Sequence, residues 1–212
     1  ETFYLYLQIK NFVWDFTYHE HYSYFTIKPL IPYFNKLGLE IIDVEPNLTK
    51  GGSMRCTLQL IGGKNTVRDS VSKFVTLEEE MGLPNDEVFI NYSNKINDSK
   101  KYFSQKISEI KKSDVKIAAY GASATSTTLL HHYEMGDYID YLLDDFTVKQ
   151  GLYSPGYKIP CFDPSKIYED KPDYIIILAW RYYEKIISKH PKYLEQGGKF
   201  IIPLPEFKII SN

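Results

Sequence analysis

The chain has 212 residues, 43% of them hydrophobic, which is enough for one large or two small globular domains. Its 25 basic and 27 acidic side chains give a net charge of -2, so no overall field favours broad nucleic-acid binding. The longest apolar runs, such as residues 174–180, are too short to span a bilayer, and we expect a cytoplasmic protein without nucleic-acid or membrane partners.

The first residues alternate between a helical pattern and a polar, aromatic interruption. Residues 1–12 carry apolar side chains at roughly helical spacing, and residues 18–25 then break the pattern as a loop. Thr26 is suited to cap a helix that Gly38 ends.

Two strands and a helical stretch follow. Residues 39–44 and 54–61 predict an antiparallel pair, which completes a first domain over residues 1–63. Residues 64–112 are polar and helical in character, broken once at residues 82–84, and predict a connector.

From residue 113 to residue 212 strands and helices alternate. This alternation implies right-handed crossovers and a parallel sheet, so we predict an α/β fold with a Rossmann-like C-terminal domain. The predicted strands are residues 116–120, 139–143, 174–179 and 199–202, and the predicted helices are residues 123–134 and 182–194.

The segment from Tyr18 to Tyr24 concentrates groups that exchange protons. A neutral imidazole is a suitable base for abstracting a proton beside a ketone, and His21 is our candidate. Tyr18 and Tyr24 are candidates to donate to the enolate oxygen, and Glu20 to orient the imidazole or hold a sugar hydroxyl. A metal pair of His19 with His21 and a purely structural aromatic cluster are the alternatives; no third metal ligand stands nearby, and we predict no metal site.

A glycine pair precedes the second strand. The bare backbone of Gly51 and Gly52 suits close approach of an anion, with Ser53 and Arg55 as substrate-binding candidates. The simpler interpretation is a turn followed by an exposed arginine.

The turn after the first C-terminal strand resembles a phosphate site. Gly121, Ala122 and Ser123 follow a strand and open a helix, although only Gly121 of the full glycine fingerprint is present. Asp144 ends the next strand, where an acid can bind a ribose hydroxyl, and Lys149 begins a loop at the same sheet edge. An ordinary tight turn with a strand-end aspartate is the alternative.

Several motifs together resemble those of C-methyltransferases that act on nucleotide-linked deoxysugars. The resemblance covers nearly the whole chain and is carried by residues 18–25, 38–39 with 43–45, 51–55, 120–124, 149–156, 172–174, 197–200 and 203–206. It implies methyl transfer from S-adenosylmethionine to a sugar carbon beside a 4-keto group, with His21 as base and Tyr18 and Glu20 assisting. It also implies that residues 1–63 are the C-terminal part of a methyltransferase domain.

The chain departs from that family in two places. Residues 123–128 lack a lysine and an asparagine that follow Gly-Ala in the family, and Arg181 stands where the family has asparagine. The cysteine-rich zinc domain and the glycine-rich S-adenosylmethionine motif are absent, so we expect zinc only in a missing N-terminal domain. The methyl donor is then expected to bind mainly to a missing N-terminal segment or a partner chain, and these residues alone to be inactive. A noncatalytic sugar-nucleotide-binding module and an NAD-dependent oxidoreductase fragment are the competing functions.

Overall fold

The computed structural model describes residues 1–212 with the exception of the Thr49 side chain. The protein is a mixed α/β structure, which confirms the predicted fold class. It consists of two compact units, one formed by Glu1–Trp14 with His19–Ile96 and the other by Asp15–Tyr18 with Asn97–Asn212. The predicted boundaries after residues 63 and 112 stay a prediction.

The first unit is built on a three-stranded antiparallel sheet in the order β1-β3-β2. The predicted strand pair is confirmed, with Val44 opposite Cys56. The elements in chain order are β1 (Thr2–Phe3), α1 (Leu5–Lys10), α2 (Ile27–Lys36), β2 (Leu39–Asn47), β3 (Ser53–Leu60), α3 (Asp69–Glu80) and α4 (Asp86–Ile110), the last of which continues into the second unit.

The prediction of a helix from the first residue was wrong at its start. Thr2 and Phe3 form β1 and pair with Met54 and Ser53, and the helix begins only at Leu5. The strand partner lies about fifty positions away, so local apolar spacing carried no sign of it.

A buried carboxylate organises the core of the first unit. Thr26 precedes α2 as predicted but makes no side-chain cap. The free N–H groups of Ile27 and Lys28 donate instead to the Glu78 carboxylate, at 2.5 and 2.9 Å, and Tyr4 Oη donates to it at 2.8 Å. Glu78 is 1% exposed, so these bonds replace the water that its charge has lost.

The second unit carries a six-stranded sheet in the order β6-β5-β4-β7-β8-β9, parallel except for the antiparallel edge strand β9. Its strands are β4 (Ile117–Tyr120), β5 (Tyr141–Leu143), β6 (Cys161–Phe162), β7 (Tyr174–Ile177), β8 (Lys199–Ile202) and β9 (Lys208–Ile210). Its remaining helices are α5 (Ala124–His132), α6 (Lys166–Asp170), α7 (Tyr183–Lys189) and α8 (Pro191–Glu195).

The predicted C-terminal helix is two helices. The helix α7 ends at Lys189, and Pro191 is the first residue of α8. Proline has no N–H to continue the ladder of the preceding helix, which accounts for the break.

The order of the strands determines where ligands fit. From β4 the chain moves outward through β5 and β6, and then returns to add β7 and β8 on the other side. In open α/β sheets the crevice at the carboxyl ends of the strands at such a reversal receives the ligand. Here that point lies between Tyr120, which ends β4, and Ile177, which ends β7.

Candidate functional site

In the first unit, the His-rich segment lies outside regular secondary structure. Residues 19–25 form no helix, and Phe25 accepts a backbone hydrogen bond from Leu5 N at 3.0 Å. The His21 ring meets Phe3 edge-on, with the centroids 4.2 Å apart, and His21 is partly buried. This contact supports one side of the imidazole while leaving part of it exposed, as a base requires.

The neighbours of His21 differ in their surroundings. The Glu20 carboxylate lies 3.9 Å from His19 Nε2, and both of these side chains are largely exposed. Tyr24 is partly buried. Tyr18 belongs to the second unit, where its ring lies 6.1 Å from that of Phe16.

The glycine pair before β3 packs against α1. Gly52 has φ +148°, and a Cβ there would lie 2.5 Å from the Cβ of Leu7. Asn11 Nδ2 also donates to the Gly51 carbonyl at 2.9 Å. Glycine is therefore required here by packing.

Of the two substrate-binding candidates in β3, one is buried and one is exposed. Ser53 is 7% exposed. Arg55 reaches solvent and pairs with Glu1 at 2.9 Å.

In the second unit, the turn after β4 brings four of the predicted residues together. Gly121 has φ +112°, and its N–H donates to the Leu143 carbonyl at 2.7 Å. The Ala122 N–H donates to Asp144 Oδ2 at 2.7 Å. Lys149 Nζ donates to the same oxygen at 3.1 Å, so the acid at the end of β5 holds the turn and the following loop together.

Asp144 is nearly enclosed by these donors. Its other oxygen accepts from Phe146 N at 2.9 Å, and its side chain is 13% exposed. A carboxylate offers about four lone-pair sites, and donors among the described residues occupy three of them. Within this part of the chain, one acceptor site on Oδ1 has no donor.

Ser123 forms the N-terminal cap of α5. Its Oγ accepts from Ser126 N at 3.2 Å and lies 2.9 Å from both Thr125 Oγ1 and Ser126 Oγ. The helix therefore begins with a cluster of hydroxyl groups.

Two cavities flank the Gly121 turn within the second unit. The first, of about 100 Å³, is mostly apolar and is lined by Gly121, Ala122, Ser126, Thr127, Leu130, Leu142, Lys149, Leu152, Tyr153, Ser154, Pro155, Cys161 and Leu178. The second, of about 210 Å³, is lined by Tyr120, Gly121, Asp144, Asp145, Ala179, Tyr182, Lys185, Ile186 and Lys189. It lies at the point where the strand order reverses.

The second cavity has its own hydrogen-bonded cluster. Tyr120 Oη donates to Asp145 Oδ1 at 2.8 Å, and Lys189 Nζ donates to Asp145 Oδ2 at 2.7 Å. Burial, reinforced by the hydrogen bond to Asp145, raises the pKa of Tyr120 well above its ordinary value of 10.0. Tyr120 therefore stays protonated as a hydrogen-bond donor.

Comparison with known proteins identifies the family. Residues 48–205 match the model of a C-methyltransferase C-terminal domain. The chain belongs to this C-methyltransferase family. The C-methyltransferase NovU of Streptomyces niveus is 30% identical over all 212 residues, which correspond to 50% of NovU. The chain therefore spans about half the length of this curated relative.

The chain contains polar residues that sequence reasoning did not assign. Asp145, Glu78 and Asp15 are all paired within their units, and Asp15 is completely buried. The position of Asp15 between Trp14 and Phe16 was a usable signal, because an acid among aromatic residues in an apolar run needs a buried donor.

The described residues offer neither a metal cluster nor a membrane-spanning helix. Within this part of the chain, no three His, Cys, Asp or Glu side chains form a group that could hold a metal ion. None of the described helices is both long and apolar enough to cross a membrane.

Proposed function

We propose that this chain is the C-terminal part of an S-adenosylmethionine-dependent C-methyltransferase that acts on a nucleotide-linked 4-keto deoxysugar, with His21 as general base. Family membership supports methyl transfer in general. The observation that carries the finer assignment is the partly exposed His21 ring, supported edge-on by Phe3 in a segment rich in hydroxyl groups. The ketone acidifies the neighbouring C–H, and a neutral imidazole near pH 7 is suited to take that proton.

Three residues are proposed to assist the base. Tyr18 and Tyr24 would donate to the oxygen that becomes an enolate, because a phenol is a donor across the physiological pH range. Glu20, which is exposed beside His19, would hold a sugar hydroxyl or orient the His21 imidazole.

Ser53 and Arg55 remain proposed substrate contacts. The exposure of Arg55 favours it over the buried Ser53 as a contact to the substrate.

The nucleotide portion is proposed to bind the second unit. Gly121, Ala122 and Ser123 lead into the nine-residue helix α5 at the carboxyl edge of the sheet, where small side chains allow close approach of a phosphate. The remaining acceptor site of Asp144 suits a ribose hydroxyl. Lys149, partly exposed beside it, would add a positive charge near the phosphates.

S-adenosylmethionine, when bound, supplies an electrophilic methyl group. A glycine turn from a strand into a helix is the kind of site that binds such a cofactor. The turn of this kind at Gly121 is the one that we assign to the sugar nucleotide. We therefore propose that the methyl donor binds mainly outside these 212 residues. This chain would contribute the base and the contacts that orient the sugar.

A noncatalytic sugar-nucleotide-binding module is the second candidate. It is favoured by the position of both cavities and of Asp144 within the second unit alone. The two candidates differ in whether His21 has a chemical role.

Replacement of His21 by alanine in the full-length enzyme tests the proposal. We expect methyl transfer to fall at least about 100-fold, because a general base is removed, while sugar-nucleotide affinity stays within a few-fold. Radioactive methyl incorporation and calorimetric titration measure the two quantities. His132→Ala, in α5 of the second unit, is the control and should retain turnover. Unchanged turnover of His21→Ala would exclude His21 as the base.

A further inference from the structure

A buried ion pair lies beside the proposed nucleotide site, entirely within the second unit. Arg181 Nη1 lies 2.8 Å from each carboxylate oxygen of Asp15, and Trp180 Nε1 donates to Asp15 Oδ2 at 3.0 Å. The Asp15 side chain is 0% exposed and that of Arg181 is 11% exposed. Burial raises the pKa of the Asp15 carboxyl, and the Arg181 guanidinium opposes that shift.

Two aromatic rings pack against the guanidinium of Arg181. The Phe16 ring centroid lies 4.5 Å from Arg181 Cζ, and the Trp180 ring centroid lies 4.9 Å from it. A planar cation held by rings and a carboxylate has little rotational freedom, which a lysine could not reproduce.

The pair is connected to the beginning of α5. Arg181 Nη2 donates to Thr125 Oγ1 at 3.2 Å, and Thr125 Oγ1 lies 2.9 Å from the Oγ of the capping residue Ser123. A continuous polar chain therefore runs from Asp15 to the turn proposed to bind phosphate.

The same pair secures the short segment that contains Tyr18. Residues Asp15–Tyr18 belong to the second unit, and Thr128 Oγ1 in α5 donates to the Thr17 carbonyl at 3.3 Å. Thr17 thus contacts α5 directly through Thr128, and Asp15 contacts it indirectly through Arg181, which donates to Thr125.

We infer that Asp15 and Arg181 are positioning residues, which hold the beginning of α5 and the segment Asp15–Tyr18 in one arrangement for binding the sugar nucleotide. This inference rests on the proposed function. A buried ion pair contributes little net stability, because desolvation offsets the attraction between the charges. Its defined geometry is better suited to fixing the positions of its neighbours. Arg181 then acts through Thr125 and Ser123, and does not itself contact the phosphate.

Two variants test the polar chain from Asp15 through Arg181 to Thr125 at different points. Thr125→Val keeps the ion pair and most of the side-chain volume but removes the hydroxyl that Arg181 contacts. Arg181→Lys keeps the charge but loses the planar fork. Asp140→Asn is the matched control, since Asp140 accepts a hydrogen bond from Ile117 N at the opposite end of β4.

Affinity is measured by calorimetry of this chain with ADP, GDP, CDP, UDP and dTDP. For the nucleotide that the wild type binds best, we expect Thr125→Val to weaken binding about fivefold, the effect of one lost hydrogen bond. We expect Arg181→Lys to weaken it about tenfold or more. Asp140→Asn should bind as the wild type does. Wild-type affinity in both site variants would overturn the inference.

Hydrogen exchange gives a second measurement that does not depend on a ligand. The Ser126 amide, capped by Ser123, should exchange about tenfold faster in Arg181→Lys, while amides in the last turn of α5 stay unchanged. Equal exchange in Arg181→Lys and Asp140→Asn would refute positioning. If the wild type binds none of the nucleotides, nucleotide binding as proposed fails, and the exchange experiment alone decides the inference.

Discussion

Asp144 acts on this fold mainly through backbone groups. Its carboxylate holds the amides of Ala122 and Phe146 and the amine of Lys149, so it links the turn after β4 to the loop after β5. The sequence placed the acid at the end of a strand and associated it with a ribose hydroxyl. The sequence could not show which groups donate to Asp144. One donor, the Ala122 amide, comes from a residue 22 positions away, and the Phe146 and Lys149 donors depend on the conformation of the following loop.

Glu78 has a comparable structural role in the first unit. We expect Glu78→Gln to lower the free energy of unfolding by about 2 kcal/mol, because an amide replaces the carboxyl group that accepts three hydrogen bonds, two of them buried. Urea denaturation measures the change. Glu79→Gln is the matched control: Glu79 is half exposed and pairs with Lys28 on the surface, so its loss should stay within about 0.5 kcal/mol. Equal effects of the two substitutions would contradict a special role for Glu78.

At the scale of elements, the β4–turn–α5 unit was predictable and the short strands were not. An apolar run followed by a glycine and a capping serine is a local pattern. As expected from it, β4 ends at Tyr120 just before Gly121, and Ser123 caps α5. β1 and β6 contain two residues each and exist only through their partners. No periodicity can be measured over two residues.

The Gly121 turn should be intolerant of any side chain. In Gly121→Ala the new Cβ would meet the backbone nitrogen and the Cβ of Ala179 at 2.9 Å, on a backbone with φ +112°. We expect a loss of at least about 3 kcal/mol of unfolding free energy from strain and overpacking together. The loss is measured by chemical denaturation.

Gly151→Ala separates the two causes of that loss. Gly151 also has a positive φ, of +79°, but no atom lies within 4 Å of an added Cβ. Its substitution should therefore cost only about 1 kcal/mol, from backbone strain alone. If both glycine variants lost the same stability, close packing against Ala179 would not matter.

For the whole molecule, the family match and the coverage of NovU lead to a functional prediction. Because the proposed base and nucleotide contacts lie in this chain and the methyl donor is assigned elsewhere, the 212 residues should bind sugar nucleotide without methylating it. Calorimetry and a methyl-incorporation assay on this chain, with the full-length enzyme as the positive control, test both parts. Methyl transfer by this chain alone would overturn the assignment of the donor.

The sequence predicted the α/β class and the family because motifs and strand–helix alternation are local features. It did not predict that residues 15–18 belong to the second unit, since the partners of Asp15 are Trp180 and Arg181, more than 160 positions away. Arg181 was recognised only as a departure from the family. Its buried partner, and hence its role as an internal cation, became visible only in the folded structure.

The antiparallel strand β9 bears on how the protein behaves in concentrated solution. By pairing with β8, it covers an edge that a parallel sheet would otherwise present to another copy. At the other end of the same sheet, β6 is only two residues long and offers little backbone for recruitment. Both edges of the sheet are therefore short strands, three residues in β9 and two in β6, which leave few backbone groups to pair with a second copy and so disfavour edge-to-edge aggregation.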